Sequence, residues 1–476
     1  MGGGNFGRLQ PNLREQSYFI TALARRIGKN LLMAALTNSG ADRVGRFTVL
    51  GLVLLAFAVG AGTIARRPPP APFLPSNRAP TESLLDPITM GTAATSHELR
   101  GDFISTRLFV HTHAANLVEL EGGRVRAFWY SGTNEGTQDV TIQTAVYDPD
   151  TARWSPEKTV TSRADTQRAL FRYVKKLGNP VAARAADGSL SLFYVTVSLG
   201  GWAGSSITVM SSHDNGETWN RPRRIVTSPF FNLSTLVKTP PFAFADGTLG
   251  LPVHHEFMGK FGEVLRLDAA ATVLDKARLS AGRACLQPVV MIEDATHAIA
   301  LMRYAGATRP NRVMRTTTSN AGRDWTPPER TALGNSDAAL TGLVLPDGEL
   351  LLALNNAESG RNALTLAVSS DFGATWRTIY HVEDQSEIAA QGLDEGKYSA
   401  MIEKLARATD PQVANARGMA ESVKRQMFSA QGYSFEFSYP SLIRTSRGDY
   451  HLVYTWNEAF IKHVQFDQAW LDRHLN

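Results

Sequence analysis

One turn, written three times, constrains this chain more than any other feature. "SSHDNGETW" (Ser211–Trp219) returns as "TSNAGRDW" (Thr318–Trp325) and as "SSDFGATW" (Ser369–Trp376). The shared skeleton is Ser/Thr-x-Asp/Asn-x-Gly-x-x-Trp. Each position has a local use. Asp214 and Asp371 can accept hydrogen bonds from their own turn's amides, and Gly216 and Gly373 permit positive φ. Trp219 and Trp376 then anchor the turn by packing between strands. With so few carboxylates per copy, the turn reads as a staple and not as a calcium site.

The spacing of the copies gives the architecture. Trp219, Trp325 and Trp376 stand 106 and 51 residues apart, and "VYDPDTARW", ending at Trp154, is an eroded fourth copy 65 residues before Trp219. Between them run strand-length apolar stretches such as "RVRAFWY", "SLSLFYVTVSL", "HAIALMRY" and "DYHLVYTW", bounded by Gly, Asp or Asn. A unit of roughly 50–65 residues built from four short strands is a propeller blade. The expected fold is all-β, a six-bladed β-propeller over residues 96–476. Residues 386–427 break the pattern with helical spacing (Met401, Leu405, Val413, Met419, Val423, Met427) and a stop at Asp410-Pro411. They predict a helical insertion, either a solvated decoration or a lid near the site.

The N-terminal region speaks about location. Phe47–Ala65 is 19 residues without a charge, about the length a bilayer core requires. Residues 1–46 carry seven Arg or Lys against Glu15 and Asp42, so the positive-inside rule keeps that arm cytoplasmic and exports the rest. Residues 47–65 thus predict a transmembrane signal-anchor in the inner membrane, with a cleaved signal or a buried helix as alternatives. Residues 66–95 are Pro-rich and predict an extended spacer. The formal charge of +5 is small for 476 residues and argues against nucleic acid as a partner. The single Cys285 excludes an internal disulfide framework.

Longer blocks bring a resemblance. "SGTNEGTQDVTI", "KLGNPV", "SLGGWAGSS", "SPFFNLSTLVKTP", "LPVHHEF" and "EFSYPSLIRT" through "HLVYTWNEAFIKHVQF", together with the repeated Asp-box turns, resemble the sialidase-like BNR-repeat glycosyl hydrolases. That family implies a carbohydrate substrate, no cofactor and no metal. Its sialidases clamp the sugar carboxylate with three Arg, attack through a Tyr activated by a Glu, and use an Asp as acid/base. A neutral phenol avoids the repulsion that a carboxylate nucleophile would meet at a carbon bearing a carboxylate.

On this sequence the resemblance implies Tyr439 as nucleophile, and Arg303 and Arg361 as two of the clamping cations. Asp139 is its best match for the acid/base, with Glu135 as rival. Two positions depart. His113 stands where the first Arg of the triad would be, and Gln287 where the Glu partner of the Tyr would be. Glu436 and Glu256 are candidates for the missing carboxylate. Arg172, with Lys175 and Lys176, forms a basic cluster suited to an acidic glycan. His254 and His255 are neighbours on a strand and point to opposite faces, which argues against a shared metal. The expected activity is hydrolysis of an acidic or hydroxyl-rich glycan, exo-sialidase by family default. The alternative is a glycan-binding propeller without turnover, and the oligomeric state stays open.

Overall fold

The computed structural model describes residues 47–56, 58, 70–75, 99–228, 232–280, 284–429 and 432–475. The expected basic arm, part of the expected anchor, most of the expected spacer and residues 229–231 of "SPFFN" lie outside them. The chain divides into two compact units, residues 1–69 and 70–476. Residues 47–56 are helical. Among the described residues no helix is long and apolar enough to cross a membrane.

The second unit is a six-bladed propeller, as the period of the turns predicts. Blade I comprises His111–Glu119, Val125–Gly132, Thr141–Asp148 and Arg153–Trp154, with Lys158–Ser162 also pairing its third strand. Blade II is Lys176–Arg184, Leu190–Val197, Ser205–Ser212 and Arg223–Arg224. Blade III is Leu236–Val237, Leu249–His255, Phe261–Leu267 and Val273–Arg278, extended by Phe242–Phe244 and Phe73–Leu74. Blade IV is Cys285–Ile292, Ala298–Tyr304, Arg312–Thr318 and Glu329–Gly334, and blade V is Thr341–Val344, Leu350–Leu354, Ala363–Ser369 and Arg377–Asp384. Blade VI joins Phe437–Arg444, Tyr450–Trp456 and Phe460–Phe466 to the N-terminal strand Arg100–Phe103. Drawing the strand Arg100–Phe103 onto the C-terminal blade closes the ring.

Part of the expected spacer is not a spacer. Phe73 pairs with Phe244 and is 2% exposed, packed against Phe242 and Phe244. Two residues are too short a run for a periodicity reading to catch.

All three repeated turns follow the third strand of their blades, and their geometry is that of a staple. In blade II, Gly216 (φ 88°) donates its amide to the Ser212 hydroxyl, and the Trp219 indole N–H returns to the Gly216 carbonyl at 3.0 Å. Asp214 accepts from the Thr218 amide and hydroxyl. Blade V repeats these bonds with Ser369, Asp371, Gly373, Thr375 and Trp376, and blade IV with Thr318, Asn320, Gly322 and Trp325. The eroded copy in blade I occupies the same place, but its Trp154 indole bonds His463 of blade VI.

A second repeat marks the opposite end of the blades. The inner strands of blades I, II, IV and VI break register between His113/Asn116, Gly178/Val181, Leu286/Val289 and Ser438/Ser441. The bulged residues Ala114, Asn179, Gln287 and Tyr439 hold φ of 56°, 43°, 50° and 53°. Three of them precede a proline (Pro180, Pro288, Pro440), whose missing N–H is harmless where the ladder is already interrupted. In blade II, Lys176 pairs with Val197 while Arg184 and Ser212 both pair with Leu190. The bulges therefore lie at the end of the blade away from the Asp-box turns.

The insertion comprises helices Ser386–Gln391, Glu395–Thr409 and Ala416–Met427. Tyr398, Ile402, Ala406, Met419, Ala420 and Val423 are buried in one apolar cluster with Phe437, Leu452 and Tyr454 of blade VI. The Tyr398 hydroxyl donates to the Ser434 carbonyl, and the Ser422 hydroxyl accepts the Phe109 amide. The insertion is thus packed into the fold and is not a solvated decoration. Among the described residues, no hydrogen bond or ion pair joins it to Tyr439, Arg303 or Gln287.

Candidate active site

The bulged ends of the inner strands gather side chains from five blades. Tyr439 sits in left-handed backbone, which costs a bulky residue on the order of 1–3 kcal/mol and recurs where a side chain must be aimed. Its hydroxyl accepts from the Gln287 amide at 3.2 Å and faces Nη1 of Arg303 at 3.5 Å. Arg303 Nη1 also donates to Oε1 of Gln287 at 3.1 Å, which fixes the way the amide is turned. Two N–H donors therefore converge on the phenol oxygen.

The cations around Tyr439 are held from behind. Arg303 Nε donates to Asp337 at 2.6 Å. Burial works against its charge, but Tyr439 and the Asp337 carboxylate outweigh it and hold the guanidinium above its ordinary range. Arg361 bonds Glu436 at 2.9 Å and the Asp337 carbonyl at 2.9 Å. The His113 ring lies 4.3 Å from the Tyr439 ring, centroid to centroid. Burial, and then His111, Arg361, Lys238 and Arg303, push His113 far below its usual range, so it is neutral. Its Nδ1 is buried with no partner among the described residues. Lys238, buried beneath Pro440 and donating to its carbonyl, is pushed down to about 7 by burial.

The two acid/base candidates differ. Asp139 braces its own turn, accepting from the Thr133 amide at 2.8 Å and from the Thr133 and Thr137 hydroxyls. Burial opposes the shift, yet these hydroxyls hold its carboxyl below the usual range, the wrong direction for a proton donor. Glu135 accepts the Trp202 indole N–H at 2.7 Å. Trp202 lies against Gly178, where any side chain would meet the ring at 2.5 Å, and Lys176 sits over it at 4.0 Å. Glu256 stands by Ser234 and His254, and Glu436 is taken by Arg361 and Ser438. His255 pairs instead with Glu263, so the two adjacent histidines do not share a site. Arg172 bonds Ser198 and lies outside the Tyr439 cluster, beside a separate cavity.

Three residues escaped the sequence reading. Asp337 orients Arg303, and Lys238 supports Pro440. Glu458, in the Asn457-Glu458 turn of blade VI, stands 3.9 Å from His111. Burial, then Glu436 and Glu135, raise it to about 7 against the opposing Arg361. The polar-residue–proline repeat was the available signal for this end of the ring. Glu458 has no such mark.

A closed six-bladed propeller with Asp-box staples at one end and an Arg/Tyr cluster at the other defines the sialidase-like class. The chain belongs to the BNR repeat-like domain family, which it matches over residues 123–452. Among solved structures it is similar to the Hadza microbial sialidase Hz136 (16% identity, TM-score 0.53), over 75% of this chain and 66% of that one. It is similar to a protein of unknown function from Dyadobacter fermentans (13%, TM-score 0.55), over 77% and 98%. It also resembles the intramolecular trans-sialidase of Ruminococcus gnavus (11%, TM-score 0.51), over 76% and 95%. At these identities the likeness is one of fold. No curated protein matches the sequence.

Proposed function

We propose that the chain is a retaining glycoside hydrolase for an acidic glycan, with Tyr439 as the nucleophile. One observation carries this reading: two N–H donors, from Gln287 and Arg303, aim at the oxygen of a tyrosine held in left-handed backbone. Donors on a phenol oxygen stabilise the charge of that oxygen as it attacks. Gln287 takes no proton, so the Tyr439 proton passes to solvent as its oxygen attacks. The Tyr439 oxygen then bonds the anomeric carbon as the bond to the leaving oxygen breaks, and that oxygen takes its proton from Glu458, whose carboxyl keeps it to about pH 7. Water completes the second step with the same carboxyl as base. Arg303, Arg361 and the unpartnered Nδ1 of His113 suit the sugar's carboxylate and hydroxyls. An exo-acting sialidase is the family default among such enzymes.

The test is release of the phenol from aryl sialosides and aryl uronides by the full chain, with Tyr439→Phe as control. Release by the wild type and its loss in the variant support the reading. The second reading, a propeller that binds glycans without turnover, draws on Gln287 in place of a base. Saturable glycan binding with no release from any member of the panel would favour it.

The membrane anchor at residues 47–65 remains a proposal carried by sequence, with the propeller on the exported side. Alkaline carbonate extraction of cells expressing the full chain should leave it in the membrane fraction. Its release into the soluble fraction would overturn the anchor.

A further inference from the structure

Away from the Tyr439 cluster, a cavity of about 600 Å³ opens between the helix Arg163–Leu170 of blade I and the outer strand of blade II. Four arginines line it: Arg172, Arg221, Arg223 and Arg224. Among the described residues none of the four is ion-paired, although exposed arginines elsewhere on the chain, such as Arg168 and Arg447, have carboxylate partners. Burial and then Arg172 lower Arg224, as expected of guanidiniums crowded without an anion. Arg221 is held by the Ala169 carbonyl and lies over the Phe171 ring at 4.7 Å. Phe171 is 87% exposed in left-handed backbone (φ 49°), an apolar face held open at the cavity rim.

The cavity does not stand alone. Arg172 reaches Ser198 at 2.7 Å, and Lys175 reaches the Gly200 carbonyl at 3.2 Å. Lys176 follows, over the Trp202 ring, and Trp202 holds Glu135. A line of cations and aromatic faces thus runs from the outer edge of blade II to the Glu135 side of the candidate active site.

We infer that this cavity is an accessory anion-binding site for an acidic polysaccharide, whose chain continues along Lys175 and Lys176 toward Glu135. Planar guanidiniums pair bidentately with the carboxylates of uronates or with sulfate esters, and the aromatic faces suit sugar rings. A nucleic acid suits the track less well. Its inner end meets the Glu135 carboxylate, to which sugar hydroxyls can donate and a phosphate backbone cannot.

The inference does not depend on turnover, and binding measurements on the full chain test it. The probes are short oligogalacturonides, sulfated heparin oligosaccharides, uncharged dextran oligomers and oligo(dT). Saturable binding of a uronate or a sulfated oligosaccharide is expected, with the tighter of the two identifying the anion, and none of dextran. The binding should weaken with salt. The Arg223→Gln/Arg224→Gln variant should lose about tenfold or more in affinity, as expected for two charge-assisted contacts. Unchanged near-ultraviolet circular dichroism would show that the variant keeps its fold, and Phe171→Ser gives a second, milder loss. The loss in the double variant should be the same in a Tyr439→Phe background, where no probe is turned over, which separates this site from the hydrolase reading. Equal binding by the wild type and the double variant would overturn the inference. So would dextran binding as tightly as the charged oligosaccharides, or oligo(dT) binding more tightly than either acidic oligosaccharide.

Discussion

Tyr439, Gln287 and Arg303 form a unit in which each group sets the state of the next. Gln287 receives from Arg303 and gives to Tyr439, so its amide can be turned only one way. Replacing it by a carboxylate would keep the shape and supply the missing base. Gln287→Glu should therefore raise kcat by about tenfold or more, measured on the best aryl glycoside. A fall would show that the donor, and not the absent base, limits the reaction. Glu458 makes the proposed reaction pH-dependent. Its pKa stands at about 7, above its ordinary value of 4.5, so the protonated acid persists well past the usual carboxylate range. Activity that uses this proton falls as pH rises through about 7, and Glu458→Gln should remove that limb of the kcat profile. Stability falls over the same pH range. Glu458's contribution is complete below about pH 4.5 and is lost as pH rises toward 7, so the variant's melting temperature should decline less over that window. A limb that survives the substitution would move the acid role to another group.

The elements divide into those that hold the ring and those that shape its mouth. The Asp-box turns belong to the first group, since their Asp, Gly and Trp bond within their own copies. Gly373 has φ of 80°, and a Cβ there would meet Ile299 Cδ1 at 2.4 Å. Gly373→Ala should cost about 1–2 kcal/mol of stability by thermal unfolding, with kcat and KM unchanged. A changed KM would give the turn a part in the site. The insertion buries Tyr398, Ile402 and Val423 against blade VI, so deleting residues 386–427 should lower the melting temperature by several degrees. An unchanged melting temperature with an altered KM would restore the lid. These elements were legible to different degrees. The boxes and the insertion announce themselves because their signals are local, a turn skeleton and a helical period. The Phe73–Leu74 strand does not, because two residues carry no period and its partner lies in blade III.

At the scale of the whole molecule, ring closure decides what the site contains. The blade number follows from the spacing of three tryptophans, but closure brings Glu458 of the last blade beside His111 of the first, and no local pattern records that meeting. Tyr439, Arg303, Arg361, His113 and Gln287 were reachable through the family blocks, and the structure gathers all five around one point. Asp139 shows the limit of that route. Its block fits, yet three Thr donors turn its carboxylate into a brace. In the proposed reaction Tyr439 forms a covalent bond to a sugar. Treating the full chain with an activated 3-fluorinated sialosyl fluoride and mapping the labelled peptide by mass spectrometry would trap that bond. One glycosyl increment is expected on the peptide carrying Tyr439, and none in Tyr439→Phe. An increment on another residue, or no increment on a protein that hydrolyses aryl sialosides, would contradict it.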